Sequence, residues 1–280
     1  MRRLRLCLRL RGGRPLERRP GNPVGPSQQR QAHVPQHEPD ARPDLPSRDQ
    51  AARLANSLAG LRGKASRRVQ IGLRKRVLEV GCGHGIVTQE LARRCGGEVV
   101  ALDRDTRPFA VGQVTRPVSL VEGDAAALPF AHATCDLVFS QNVLLWVPDL
   151  QAAVAEAARV LTPGGWLVAI EPDYGGMVEH PDLGLRAVWL ESLTAAGADP
   201  CVGRKLPGAF ETAGLRVFVE LQNIPAPASA EDARLLFGLP LTDMQRTHAE
   251  EVARALSAAS GAWQSLLHVP YFLVIGHKPA

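Results

Sequence analysis

The stretch from Arg76 to Asp103 constrains this 280-residue chain more than any other. An apolar, β-branched run, Val77-Leu78-Glu79-Val80, enters the loop Gly81-Cys82-Gly83-His84-Gly85. A helical pattern follows over Ile86 to Arg94, and a second apolar run, Glu98 to Leu102, ends on Asp103. That order is a strand–loop–helix–strand unit, the opening of a parallel sheet with a ligand at the carboxyl ends of its strands. Glycines at alternate positions let the backbone turn sharply and approach a bound molecule where a Cβ would clash. The spacing excludes two common ligands. A dinucleotide loop needs G-x-G-x-x-G, but the sixth position is Ile86 counted from Gly81 and Thr88 counted from Gly83. A P-loop needs Gly-Lys-Ser/Thr, which does not follow.

The strand pattern then repeats. Pro117 to Glu122 reads as a third strand running into Gly123-Asp124, and Asp136 to Ser140 as a fourth. Asp149 is placed to cap a helix that presents Leu150, Val154, Ala157, Ala158 and Leu161 on one face. Pro163-Gly164-Gly165 stops that helix and turns the chain into a fifth strand, Trp166 to Ile170, ending at Glu171. Leu215 to Leu221 and Tyr271 to Gly276 supply two more. The expected fold is therefore α/β and Rossmann-like. It has a seven-stranded, mostly parallel sheet, helices on both faces and helical cap insertions.

Four ordered motifs carry a family resemblance over roughly residues 70–171. They are Glu79 with Gly81-x-Gly83-x-Gly85; Leu120-Val121-Glu122-Gly123-Asp124-Ala125 with Leu128-Pro129-Phe130; Cys135-Asp136-Leu137-Val138; and Arg159-Val160-Leu161-Thr162-Pro163-Gly164-Gly165. In order and spacing they resemble the class I S-adenosylmethionine-dependent methyltransferases of the ubiquinone/menaquinone and type 11 group. The resemblance implies S-adenosylmethionine as cofactor and an antiparallel last strand. It implies that Glu79 holds the amino-acid part, with the loop amides of Gly81, Cys82, Gly83 and Gly85 at the carboxylate. Asp103 would take the ribose hydroxyls and Asp124 the adenine amino group, with the Ala125 amide on a ring nitrogen. Gln141 and Asn142 would pass the methionine part and the transferred methyl. Asp105 reads as a helix cap or solvated acid, His84 as loop filler, and Cys82 and Cys135 as small buried fillers.

Since ligands lie outside the carboxyl ends of the strands, the acceptor side should come from the segments after strands four and five. Trp146, Glu171, Asp173, Tyr174 and His180 are the acceptor-side candidates, and Tyr174, His180 and Glu171 the candidates for catalysis. Arg204-Lys205 would meet an anionic group or solvent. The expected partition is an Arg/Pro-rich, disordered leader over 1–49 and a methyltransferase domain over 50–280. Within the latter, 70–171 forms the cofactor half, and 50–69, 172–214 and 224–269 form helical substrate or cap elements.

Charge narrows the partners. The leader carries eleven Arg against five acids, net +6, which leaves residues 50–280 at −1. The basic balance thus belongs to the leader, which argues against a nucleic-acid-binding face on the folded part. For the leader itself a transit peptide, a nucleic-acid-binding tail and a functionless extension compete, and the composition favours the last. Five widely spaced Cys without C-x-x-C give no disulfide framework or metal site, consistent with a reducing cytoplasm. No apolar run approaches 18 residues, so no membrane span is expected. The sequence thus leads to methyl transfer onto a small organic acceptor at O, N or C. The rivals are a nucleic-acid or protein methyltransferase, against which Ser140-Gln141-Asn142-Val143 stands where an N-P-P-Y-like run would, and a non-catalytic cofactor-binding partner subunit.

Overall fold

The computed structural model describes residues 46–110, 117–222, 224–259 and 261–280. The readings made for the leader through residue 45 lie outside the described residues. Residues 48 and 49, assigned above to the leader, already belong to the first helix.

In chain order the elements are α1 (Arg48–Ser57), α2 (Ala59–Arg68), β1 (Arg76–Val80), α3 (Ile86–Arg94), β2 (Glu98–Asp103), β3 (Val118–Glu122), β4 (Cys135–Gln141), α4 (Leu150–Val160) and β5 (Leu161–Pro172). There follow β6 (Val178–His180), α5 (Leu185–Ala195), α6 (Val202–Thr212), β7 (Arg216–Gln222), β8 (Ala226–Pro227), α7 (Ala230–Arg234), α8 (Asp243–Ala258), β9 (Leu266–His268) and β10 (Tyr271–His277). Seven strands form one sheet in the order β3-β2-β1-β4-β5-β10-β7. The pairs from β3 to β5 are parallel, and β10 runs antiparallel to both β5 and β7. The chain leaves β1 for β2 and β3 on one side and returns to β4 on the other, so the sheet reverses direction beside β1. That reversal opens a crevice at the strands' carboxyl ends.

Alternation along β1 assigns its side chains to two layers. Leu78 and Val80 enter the core shared with α4, α5, α6 and α8, while Val77 enters the core shared with Leu58, Leu61, Ala65 and Val69 of the N-terminal helices and Leu91 of α3. Glu79 falls on the face of Val77, a carboxyl on the layer that α2 covers. The Asp149 cap is present: its Oδ1 accepts from the Ala152 amide at 2.9 Å.

Three details differ from the sequence reading. α4 stops at Val160, before Pro163-Gly164-Gly165, because Leu161 already pairs with Cys135 and β5 starts there. Lys278 Nζ accounts for the stop by donating to the Ala158 and Leu161 carbonyls at the helix end, both at 2.7 Å. The N-terminal helical pattern is two helices hinged at Leu58, whose amide returns to the Ala55 carbonyl. The insertion read as helical over 224–269 contributes α7 and α8 but also two strands. β8 and β9 join β6 in a second, three-stranded sheet in the order β6-β9-β8.

Candidate cofactor and acceptor site

The crevice is built around the glycine loop. Gly81, Gly83 and Gly85 all have left-handed φ, at 76°, 46° and 75°. Gly81 is doubly constrained, since a Cβ there would come within 2.1 Å of the Val143 side chain. The loop is pinned to the second strand: Gly81 N and Cys82 N both donate to the Leu102 carbonyl, at 2.7 and 3.0 Å. Gly83 N donates to Asp103 Oδ2 at 2.8 Å, and Asp105 N to Asp103 Oδ1 at 3.1 Å. Gly85 N closes on the Cys82 carbonyl at 2.8 Å. The four loop amides expected to meet a carboxylate are thus all engaged inside the protein. Asp103 thus holds the loop, a role that spacing did not reveal.

Beneath the loop, Glu79 is 3% exposed and its Oε2 has no hydrogen-bond partner among the described residues. Burial pushes its carboxyl up to about 8; the Asp103 charge adds to this, while the Thr88 hydroxyl and Arg62 oppose it. Arg62 was not singled out from sequence, yet it is 4% exposed and reaches three elements. Its Nε donates to Glu90 Oε2 at 2.7 Å, and its Nη1 donates to Gln141 Oε1 at 3.1 Å and to the Ala55 carbonyl. A signal existed: Leu58, Leu61, Arg62 and Ala65 share one helical stripe, so a charge occupies an inward-facing position. The first residue of α1 and the segment before it strap the loop from outside. Arg48 donates to the His84 and Ala110 carbonyls, and the His84 ring meets the Pro46 carbonyl at 2.8 Å.

At the far end of the crevice, Asp124 follows β3, its Oδ1 accepting from the Ala126 amide at 2.8 Å and its other oxygen facing Arg104 at 3.7 Å. Ala125 is buried beside it. This turn is held from behind by α4: Glu156 accepts from the Leu128 amide, and Arg159 donates to the Leu128 and Phe130 carbonyls. Asp105 caps no helix among the described residues: it accepts from the Arg107 amide and binds the Arg107 guanidinium through both carboxylate oxygens. Cys82 and Cys135 are buried, and burial pushes both thiols up.

The segments after β4 and β5 meet at Glu171. It is fully buried, and its Oε1 accepts from the Val143 and Leu144 amides at 2.9 and 3.0 Å while Oε2 has no partner among the described residues. Burial pushes it up to about 7 against the pull of those amides. Asn142 enters this turn with φ at 58°. Tyr174 stacks on Trp189, ring centroids 4.8 Å apart, and burial with the nearby Glu171 charge pushes its hydroxyl up. Trp146 packs against the same core. Two acceptor-side candidates fall elsewhere. Asp173 is 3% exposed and takes a two-pronged bond from Arg204, at 2.7 and 2.9 Å, so both are spent on each other. Lys205 likewise pairs with Asp199. His180 is exposed on β6, paired across to Leu266, because the second sheet draws it out of the crevice.

Among the described residues no group of three or more His, Cys, Asp or Glu converges as a metal site, and no helix is long and apolar enough to cross a membrane.

The comparisons agree with this geometry. Residues 78–169 match the family of the type 11 methyltransferase domain. The bifunctional biotin-biosynthesis protein BioHC of Cellvibrio japonicus is 36% identical over 152 residues, 52% of this chain and 29% of that protein. The demethylmenaquinone methyltransferase of Renibacterium salmoninarum is 39% identical over 124 residues, 44% of this chain and 49% of that protein. The chain thus spans less than half the length of these relatives. In fold, the YcgJ protein of Bacillus subtilis superposes with a TM-score of 0.52 at 16% identity, covering 77% of this chain and 97% of that one. Residues 78–169 are therefore a methyltransferase domain of the class I, S-adenosylmethionine-dependent kind.

Proposed function

We propose that the protein transfers the methyl group of S-adenosylmethionine to a small organic acceptor by in-line displacement. The observation that carries this reading is the row of acids at successive strand ends. Glu79, next to last in β1, has a buried oxygen without a partner among the described residues under a left-handed glycine loop, Asp103 ends β2, and Asp124 follows β3. When bound, the cofactor supplies a methyl on a cationic sulfur, already activated for displacement. Glu79 accepts from the amino end and Asp103 from the ribose hydroxyls. Asp124 with the Ala125 amide reads the adenine edge, and Gln141 and Asn142 border the reacting end.

Orientation is the main contribution asked of the protein, on the order of 7–11 kcal/mol when two reactants are held well aligned. Glu171 serves that alignment by holding the Val143–Leu144 turn. Trp146 and the stacked Tyr174–Trp189 pair belong to the core behind the segments after β4 and β5, and an acceptor side backed by aromatic rings favours a flat, apolar acceptor. The demethylmenaquinone activity named for one relative supports that preference.

Isothermal titration with S-adenosylmethionine tests the cofactor. Asp103→Ala is expected to weaken binding at least tenfold, since it removes the ribose acceptor and releases the Gly83 amide together. Binding unchanged in that variant, or no binding by the wild type, would overturn the assignment. A labelled-cofactor screen on metabolite extracts, wild type against Asp103→Ala, identifies the acceptor.

A further inference from the structure

Glu79 presents a charge problem. It is buried, its Oε2 has no hydrogen-bond partner among the described residues, and an ionised carboxylate in such a place costs several kcal/mol. The groups facing it do not cancel that cost. From β2 comes Asp103, an acid of the same sign; from α3 the Thr88 hydroxyl; from the loop the Cys82 thiol. From α2 comes the cation Arg62, but Arg62 is already matched by Glu90 and bonded to Gln141.

We propose that Glu79 stands neutral in the cofactor-free protein and gives up its proton when a primary ammonium docks on it, so that capturing the cofactor releases a proton to solvent. The inference rests on the cofactor reading above. In the step, the carboxyl O–H bond breaks, the electron pair stays on the carboxylate, the proton goes to buffer, and an ion pair with the ammonium forms. The ligand class is a nucleoside bearing an α-amino acid. Arg62 is a positioning residue here: its charge favours the ionised form of Glu79 from the adjoining helix, while its other contacts hold Gln141 in place.

The proton count follows. The ligand's α-amino group is protonated below about pH 7, and burial puts the Glu79 carboxyl at about 8. Below pH 7 both are protonated before binding, whereas the complex keeps the ammonium alone. Close to one proton should therefore leave per ligand bound at pH 6.5, and affinity should fall nearly tenfold for each pH unit below about 7.

Calorimetric titration of the full chain with S-adenosylhomocysteine, which carries the same amino-acid end, reads this directly. At pH 6.5 the apparent heats in phosphate and in imidazole should differ by close to the difference between the two buffers' ionisation enthalpies, the signature of one proton. Glu79→Gln, an uncharged stand-in for the protonated acid, should bind with no buffer dependence and no fall in affinity between pH 7.5 and 6. Arg62→Gln should raise the pH at which affinity begins to fall, and Arg62→Lys should bring it back. The wild-type proton count needs no variant, so misfolding of either one leaves the test intact. Binding by the wild type with buffer-independent heat would overturn the proton coupling and leave the cofactor reading standing; no binding at any pH would overturn both.

Discussion

Glu171 and Glu79 are two buried carboxyls with different surroundings and hence different tasks. Among the described residues no amide is seen donating to the Glu79 Oε2, whereas Glu171 receives two amides of the turn it supports. Glu171 also bears on stability. Its carboxyl titrates near 7 in the fold against 4.5 as its ordinary value. Between those pH values the unfolded chain loses its proton first, so stability falls as pH rises through the window and stays reduced above it. The penalty is about 3 kcal/mol at pH 8. Glu171→Gln keeps an oxygen for the Val143 and Leu144 amides while removing the titration. Urea denaturation should find the variant more stable than wild type at pH 8 and no more stable at pH 4.5. The pH slope is expected to shrink without vanishing, because Glu79 contributes one of the same sign up to about 8. A variant less stable than wild type at pH 8 would mean that the ionised carboxylate is needed to hold the turn.

At the scale of elements, α2 joins the sheet to the crevice through one side chain. Arg62→Met removes its bonds to Glu90, Gln141 and Ala55, but Glu90 keeps a second partner in Arg94 at 3.0 Å. The cost should lie nearer that of unsatisfied acceptors, about 1–3 kcal/mol, than that of a stranded buried charge, about 3–5 kcal/mol. A chemical melt distinguishes the two ranges. The first five strands, their helices and the acids at their ends were legible because long β-branched runs, glycine loops and an Asp cap are local signals. β6, β8 and β9 were not, since strands of two or three residues carry no period and gain their hydrogen bonds from distant partners. Nor was the fate of Asp173. A carboxylate at a strand end looks the same in sequence whether it awaits a ligand or is already taken by Arg204 thirty-one residues away.

For the molecule as a whole, the distribution of burial sets the order in which it opens. β1, β4 and β5 are buried almost throughout, whereas β3 and β7 at the sheet edges are largely exposed, with Val219 at 50% and Leu221 at 46%. Hydrogen exchange should therefore be slowest at the amides of Val77–Val80, Leu137–Ser140 and Leu167–Ile170, and faster by orders of magnitude in Arg216–Gln222. Mass spectrometry of exchanged peptides checks this, and uniform protection across all seven strands would contradict it. The second sheet adds a different consequence. Its strands come from three places: β6 after β5, β8 after β7, and β9 just before β10. β6 and β8 each pair with β9, which lies between them. Replacing one of these segments with its counterpart from a relative would leave the remaining strands with open edges. Exchanging this sheet by recombination would therefore require all three pieces to move together, as a cassette, while the glycine loop and its acids stay in place.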